Sequence, residues 1–394
     1  MSTYRYKREI SESISRLAKQ FPAIVLTGAR QTGKTTLLKA LFPEYNYISL
    51  DMPADAALAE EDPSHFLLQN PPPLIIDEVQ YAPKLFRHLK VAIDLDREES
   101  GMYILTGSQK FSLMKEVSDS LAGRCAVLEL EGLSQEELGQ SFDSQLQEKG
   151  INEILCRGFM PQLWKDLTID PIDFHRSYLA TYIERDVRQL LNIVSVRDFD
   201  RFMRACAIRS GQLLNKTEVS KDVGVSAKTI NDWLSILEAS NQISLLEPYY
   251  TNLGKRLVKS PKLYFNDVGL LCFLLGLNKK SVSENYLIGA IWETYIYGEM
   301  RKGMRIKSPE GTIWFYRDQS REVDFLIEKG LEVSLFDAKW KEYPDQKDFQ
   351  QMAKALPLFK QAQSELKVLC RAPKSFPVGD NMVAASGYHL RNML

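Results

Sequence analysis

The stretch LTGARQTGKTTLL, Leu26 to Leu38, continues an apolar run begun by Ile24 and Val25 and leads into a segment with helical spacing. Residues 23 to 27 read as a buried strand, and Thr35 to Leu41 as the start of a helix. Between them lie two glycines, a lysine and two threonines. Gly28-Ala29-Arg30-Gln31-Thr32-Gly33-Lys34-Thr35 fits G-x-x-x-x-G-K-[ST] at every fixed position, with Thr36 in the helix's first turn. Glycines let such a loop bend tightly, so that successive N–H groups and a helix N-terminus point at one anion. Lys34 then reaches the β- and γ-phosphates of a nucleotide, and the Thr35 hydroxyl ligates Mg²⁺. A purely structural strand-to-helix turn would not explain Lys and Thr side by side after the second glycine.

Working outward, further buried strands are expected at YNYISLD (45 to 51), PLIIDEV (73 to 79), MYILTGS (102 to 108) and AVLEL (126 to 130), with a helix over 9 to 20. Alternation of strands and helical segments predicts parallel βαβ units. Leu74-Ile75-Ile76-Asp77-Glu78 is an apolar strand ending in two acids, and in a parallel sheet that end faces the ligand crevice. Asp77 is expected to hold Mg²⁺ and Glu78 to polarise the attacking water as general base. YILTGSQKF (103 to 111) ends in Thr106 and Ser108, which either sense the γ-phosphate together with the Gln109 amide or form a plain turn. Arg124 precedes the next strand, as a finger for a neighbouring subunit's site or as the partner of a surface acid.

At 394 residues the chain is too long for one ordinary core. Its net charge of −1 gives no overall attraction to nucleic acid or membrane, so such binding has to come from a local patch. Cys125, Cys156, Cys206, Cys272 and Cys370 lie far apart with no C-x-x-C pair, which argues against a zinc site or a disulfide framework. MSTYRYKREI lacks an apolar leader core, and VGLLCFLLGL (268 to 277) is too short to span a bilayer. A cytoplasmic protein without membrane partners is the simplest expectation.

From about residue 134 the pattern turns helical, and SQEELGQ reads as a capped start. NKTEVSKDVGVSAKTINDWLSILEASNQI (215 to 243) has the form of a helix-turn-helix. A first helix is expected from Glu218, a turn at Gly224, and a second helix capped by Ser226, burying Ile230, Trp233, Leu234 and Leu237 and presenting Lys228, Thr229, Asn231 and Asp232. NLGKRLVKSPK (252 to 262) follows as a basic turn whose Lys255, Arg256, Lys259 and Lys262 would touch phosphates as a wing. The unit serves equally as a protein-contact module. YIERDVRQLL (182 to 191) reads as helices braced by ion pairs.

EVDFLIE, a turn at Lys329-Gly330 and LEVSLFDAKW predict a β-hairpin carrying Asp324, Asp337 and Lys339, the last two on one face. Two acids on one divalent ion, a lysine beside them and Glu293 from the preceding helix would make a phosphodiester-hydrolysing centre. A solvated hairpin with paired charges is the alternative.

In this order the motifs resemble the bacterial and archaeal ATPases that join an AAA-type N-terminal domain to a C-terminal DUF4143 domain. GARQTGKTTLL, LIIDEVQ, ILTGSQKF and LAGR look like the first part; YIERDV, SPKLYFNDVGLLCFLLG, GAIWETYIYGEM and REVDFLI with DAKW look like the second. The resemblance implies an α/β fold: a P-loop NTPase parallel-sheet domain, a winged-helix segment, and a C-terminal fold similar to the PD-(D/E)xK nucleases. It matches Lys34, Thr35, Asp77 and Glu78 to ATP and Mg²⁺, and Glu293, Asp324, Asp337 and Lys339 to the nuclease-like site. Asp337 stands where the family more often has Glu, and its shorter side chain reaches less far toward a metal.

The expected organisation is an ATPase domain over 1–135, a helical connection over 136–208, a winged-helix-like segment over 209–262 and a nuclease-like domain over 263–394. The expected function is an Mg²⁺-dependent ATPase whose nucleotide state controls a DNA-binding C-terminal module, with nuclease activity left open. The alternative is a nucleotide-gated switch for DNA or protein that cuts nothing. A homo-oligomer follows if Arg124 acts in trans; a monomer or dimer fits equally well.

Overall fold

The computed structural model describes residues 6–108, 110–182, 195–250, 260–359, 362–390 and 393. The chain divides into two compact units, one running to Leu133 and taking in Met160–Lys165 and Ala239–Asn241, the other made of the remainder.

In the first unit the apolar runs become five strands, β1 Ala23–Thr27, β2 Asn46–Ser49, β3 Leu74–Asp77, β4 Tyr103–Gly107 and β5 Cys125–Glu129. They form one sheet in the order β2-β3-β4-β1-β5, every neighbouring pair parallel. Continuous apolar runs are needed because both faces are covered. Val25, Ile76 and Leu105 join the core on one face, while Ile24, Leu26, Ile75 and Ile104 join the core on the other. β4 lies between β1 and β3, so the ends of these three strands, Thr27, Gly107 and Asp77, share one edge. The helix Lys34–Leu41 starts directly after the glycine loop.

The second unit opens on the helix Gln135–Arg157, whose Ser134 and Glu137 form a reciprocal capping box, as SQEELGQ predicts. The helix-turn-helix is present as Lys216–Val223 and Ala227–Ala239. Its first helix begins two residues before Glu218 because the Asn215 side chain accepts from the N–H groups of Thr217 and Glu218. Gly224 (φ 83°) closes it, and Ser226 accepts from the Thr229 N–H at 3.1 Å. Ile230, Trp233, Leu234 and Leu237 are buried as expected. Around it lie β6 Gln212–Leu213, β7 Ile243–Leu246 and β8 Lys262–Phe265, an antiparallel sheet in the order β6-β8-β7.

Most of the expected basic wing, with Lys255, Arg256 and Lys259, lies outside the described residues, as does nearly all of YIERDVRQLL. Lys262 corrects the wing reading. It is 2% exposed on β8 and ion-paired inside the unit, so it contacts no solvent phosphate. Beyond the helix Ile288–Lys307 comes a mixed six-stranded sheet of β9 Thr312–Arg317, β10 Glu322–Lys329, β11 Glu332–Ala338, β12 Ala362–Cys370, β13 Phe376–Gly379 and β14 Met382–Ser386. Its order is β13-β14-β12-β11-β10-β9, and β10 with β11 is the predicted hairpin, Gly330 turning it at φ 58°. Among the described residues no helix is long and apolar enough to cross a membrane.

Candidate functional site

The loop after β1 is set by its two glycines. Gly28 has φ 146°, and a Cβ there would stand 2.1 Å from the Leu130 carbonyl oxygen. Gly33 takes φ 92° as the residue before the helix, a conformation L side chains avoid. The Leu37 N–H bonds the Gly33 carbonyl, so the N–H groups of Lys34, Thr35 and Thr36 make up the first turn of the helix. Lys34 is 7% exposed, and its Nζ donates to the carbonyls of Gly28 at 2.9 Å and Ala29 at 3.0 Å. Thr32 Oγ1 donates to the Ala29 carbonyl at 2.9 Å. Ala29 is buried, Arg30 half-buried, and Gln31 and Thr36 exposed.

One contributor escapes sequence reasoning. Buried Arg8 donates to the carbonyls of Thr32 at 2.9 Å, Glu131 at 2.7 Å and Gly132 at 3.3 Å, tying the loop to the segment after β5. No local pattern around Arg8 signals this, because its partners are far away in sequence.

Asp77, at the end of β3, accepts from Thr35 Oγ1 at 2.7 Å, from the Tyr47 hydroxyl at 2.8 Å and from Thr106. Burial first, then the hydrogen bond to Asp77, pushes the Tyr47 hydroxyl well above its ordinary pKa. A hydroxyl and a carboxylate side by side are the donor set magnesium favours, so these residues fit that ion. Glu78 follows in the left-handed region at φ 55°. It accepts from Gln80 and from Ser108 Oγ at 3.3 Å. Ser108 thus lies beside the second acid, while Gln109 is outside the described residues. Arg124 adjoins the opposite end of the sheet, since its neighbour Cys125 pairs with Ala23 at the start of β1. Within the chain it realises the surface-acid alternative, holding Asp94 through Nε at 2.8 Å and Nη2 at 2.9 Å.

The second cluster brings together all four residues expected there and adds three more. Lys262 Nζ lies 3.0 Å from Glu293, 3.1 Å from Glu322 and 3.3 Å from Asp324. Lys339 Nζ bridges Asp324 at 3.5 Å and Asp337 at 3.7 Å. Asp324 also accepts from the Ala338 N–H at 3.1 Å, Asp337 from the Asp324 N–H at 3.0 Å, and Glu293 from the Tyr264 hydroxyl at 2.5 Å. Four carboxylates against two ammonium groups leave an excess of negative charge. Burial, and then the Asp324 charge, accordingly raise Glu293 and Asp337 each to about 7. Asp324 itself is buried, yet Lys262 and Lys339 hold its pKa below the ordinary value.

A five-stranded parallel sheet carrying this loop at the end of β1 and an acid-tipped β3 is the fold of a P-loop ATPase. The AAA domain family, AAA_14, matches residues 20–139, and two domains of unknown function, DUF8612 and DUF4143, match residues 148–281 and 288–388. The chain is 30% identical over 326 residues to uncharacterized proteins of Mycobacterium bovis and Mycobacterium tuberculosis, covering 82% of this chain and 71% of theirs. The Walker-type ATPase PABY2304 of Pyrococcus abyssi is similar over 68% of this chain and 95% of its own, at 15% identity and a TM-score of 0.47. The protein belongs to the family that joins an AAA domain to a C-terminal DUF4143 domain.

Proposed function

We propose that the first unit binds ATP with Mg²⁺ and hydrolyses it. One observation carries this reading: the Thr35 hydroxyl and the Asp77 carboxylate lie 2.7 Å apart beside a buried Lys34 whose ammonium caps the loop's own carbonyls. In this reading the loop 28–36, that is Gly28, Ala29, Arg30, Gln31, Thr32, Gly33, Lys34, Thr35 and Thr36, wraps the phosphates with its amides. Lys34 exchanges its two carbonyl partners for β- and γ-oxygens. Thr35 and Asp77 would hold Mg²⁺, whose positive charge neutralises the phosphate oxygens. Glu78 takes the proton of the attacking water, and Ser108 beside it responds to loss of the γ-phosphate. Arg124, released from Asp94, serves a neighbouring copy's site in a homo-oligomer.

We assign this chemistry to residues 1–135, a helical connection to 136–208, a winged-helix segment to 209–262 and the DUF4143-type domain to 263–394. The nucleotide state of the first part controls what the later parts bind. Lys228, Asn231 and Asp232 are exposed on the second helix of the helix-turn-helix, the face such a unit offers to DNA. A nuclease reading has one observation in its favour, the convergence of Asp324, Asp337 and Lys339, with Glu293 joined to Asp324 through Lys262.

Calorimetry and phosphate release test the first reading. Wild type is expected to bind ATP and release phosphate, Lys34→Ala to lose binding, and Glu78→Gln to bind without turnover. ATP binding unchanged in Lys34→Ala would sink it. Plasmid or single-stranded DNA incubated with Mg²⁺ or Mn²⁺ separates cutting from binding, with Asp324→Ala and Asp337→Ala alongside.

A further inference from the structure

An ammonium loses its water on burial and is tolerated inside a protein where carboxylates replace that water. Lys262 meets the condition with three of them, drawn from the helix Ile288–Lys307 (Glu293) and from β10 (Glu322 and Asp324). A divalent ion shared by these acids would need the same volume, since it too gathers oxygens from several elements about one centre. An ammonium and a divalent ion cannot both occupy it without strong repulsion.

Further oxygens of the cluster have partners as well. The second oxygen of Asp324 takes the Ala338 N–H, Asp337 takes the Asp324 N–H, and Lys339 bridges the two acids. With Lys262 among Glu293, Glu322 and Asp324, these three acids do not fit a shared catalytic metal.

We propose that Lys262 is the resident cation of the C-terminal centre, occupying among Glu293, Glu322 and Asp324 the place a divalent ion would need, so that this domain takes no metal there and cuts no phosphodiester. Its positive role is to tie β8, and with it the sheet beside the helix-turn-helix, to β10 and the helix Ile288–Lys307. The inference is independent of ATP hydrolysis by the first unit.

Mn²⁺ titrated into the nucleotide-free full chain, followed by the paramagnetic resonance of the free ion, tests it. Wild type and Asp324→Asn are expected to take up Mn²⁺ equally, because none of the uptake uses this centre. Lys262→Ala, which leaves three acids around a vacated volume, is expected to gain a Mn²⁺ site at least about tenfold tighter than any in wild type, with its melting temperature restored by the ion. Wild-type binding lost in Asp324→Asn, or plasmid cleavage that Asp324→Asn abolishes, would overturn the proposal. So would a folded Lys262→Ala that gains no Mn²⁺ site. Should that variant fail to fold with or without the ion, the comparison of wild type with Asp324→Asn decides alone.

Discussion

Gly28 and Arg8 act on the same loop, yet only one of them was legible in the sequence. A P-loop motif encodes local geometry, so the glycines, Lys34 and Thr35 announce themselves by spacing alone. Gly28→Ala must place a methyl carbon 2.1 Å from a backbone carbonyl that cannot swing aside. The loop or the segment at Leu130 has to move, at a strain of about 1–3 kcal/mol. Thermal melting is expected to record that loss and calorimetry a failure to bind ATP; a variant that binds normally would show that the loop tolerates the shift. Arg8 carries no such signature because its carbonyl partners stand 24 to 124 positions away. Arg8→Ala leaves those carbonyls without their charged donor, and a cost of about 1.5–3 kcal/mol in denaturant unfolding is expected. Arg8→Lys should recover only part, since an ammonium cannot span all three oxygens as a guanidinium fork does. The interior place of Lys262 is hidden from the sequence for a related reason. Lys262 closes a run of basic residues that looks like a surface wing, and only its pairing with acids 31 to 62 positions downstream shows it to be internal.

Elements were easier to read than contacts, because each one is written in its own periodicity. All five strands of the parallel sheet lie within the apolar runs that predict them or shift by one residue, β5 starting at Cys125 where the run predicts Ala126. What periodicity could not supply is the strand order. The insertion of β4 between β1 and β3, which brings Thr106 onto Asp77, comes from pairing between distant segments. Where a side-chain acceptor is present it can outweigh the apolar pattern, as Asn215 does by drawing the first helix of the helix-turn-helix back to Lys216. The two caps differ in environment, and this gives a graded expectation. Ser134 and Glu137 are buried and satisfy each other's backbone, whereas Asn215 is exposed. Ser134→Ala is expected to cost about 1–2 kcal/mol and Asn215→Ala about 0.5–1 kcal/mol, read from urea unfolding. Equal costs would mean that burial of the cap contributes nothing.

Across the whole molecule the net charge is only −1, yet charge is not spread evenly, and the buried acidic cluster of the second unit should govern how that unit responds to pH. Glu293 and Asp337 are faced by Lys262, Tyr264, Asp324, Glu322 and Lys339, and each titrates at about 7 rather than at its ordinary 4.5 or 3.8. The folded chain therefore holds these protons more tightly than the unfolded chain does. Their contribution to stability is complete below the ordinary carboxylate range and is lost as pH rises through about 7. Asp324 has the opposite sign, its contribution disappearing only in acid. Buried His175, whose pKa is lowered by desolvation, acts below its ordinary 6.5. Between about pH 6.5 and 8.5 the raised pair therefore dominates, and the second unit should lose about 1–2 kcal/mol of stability as pH rises, most of it below about pH 7.5. Asp324→Asn removes the charge that helps raise both neighbours, so the variant, though less stable overall, should show a flatter dependence. Thermal midpoints for the two proteins across that range check this; parallel slopes, or a wild type that grows more stable with rising pH, would mean that the cluster shares its protons differently.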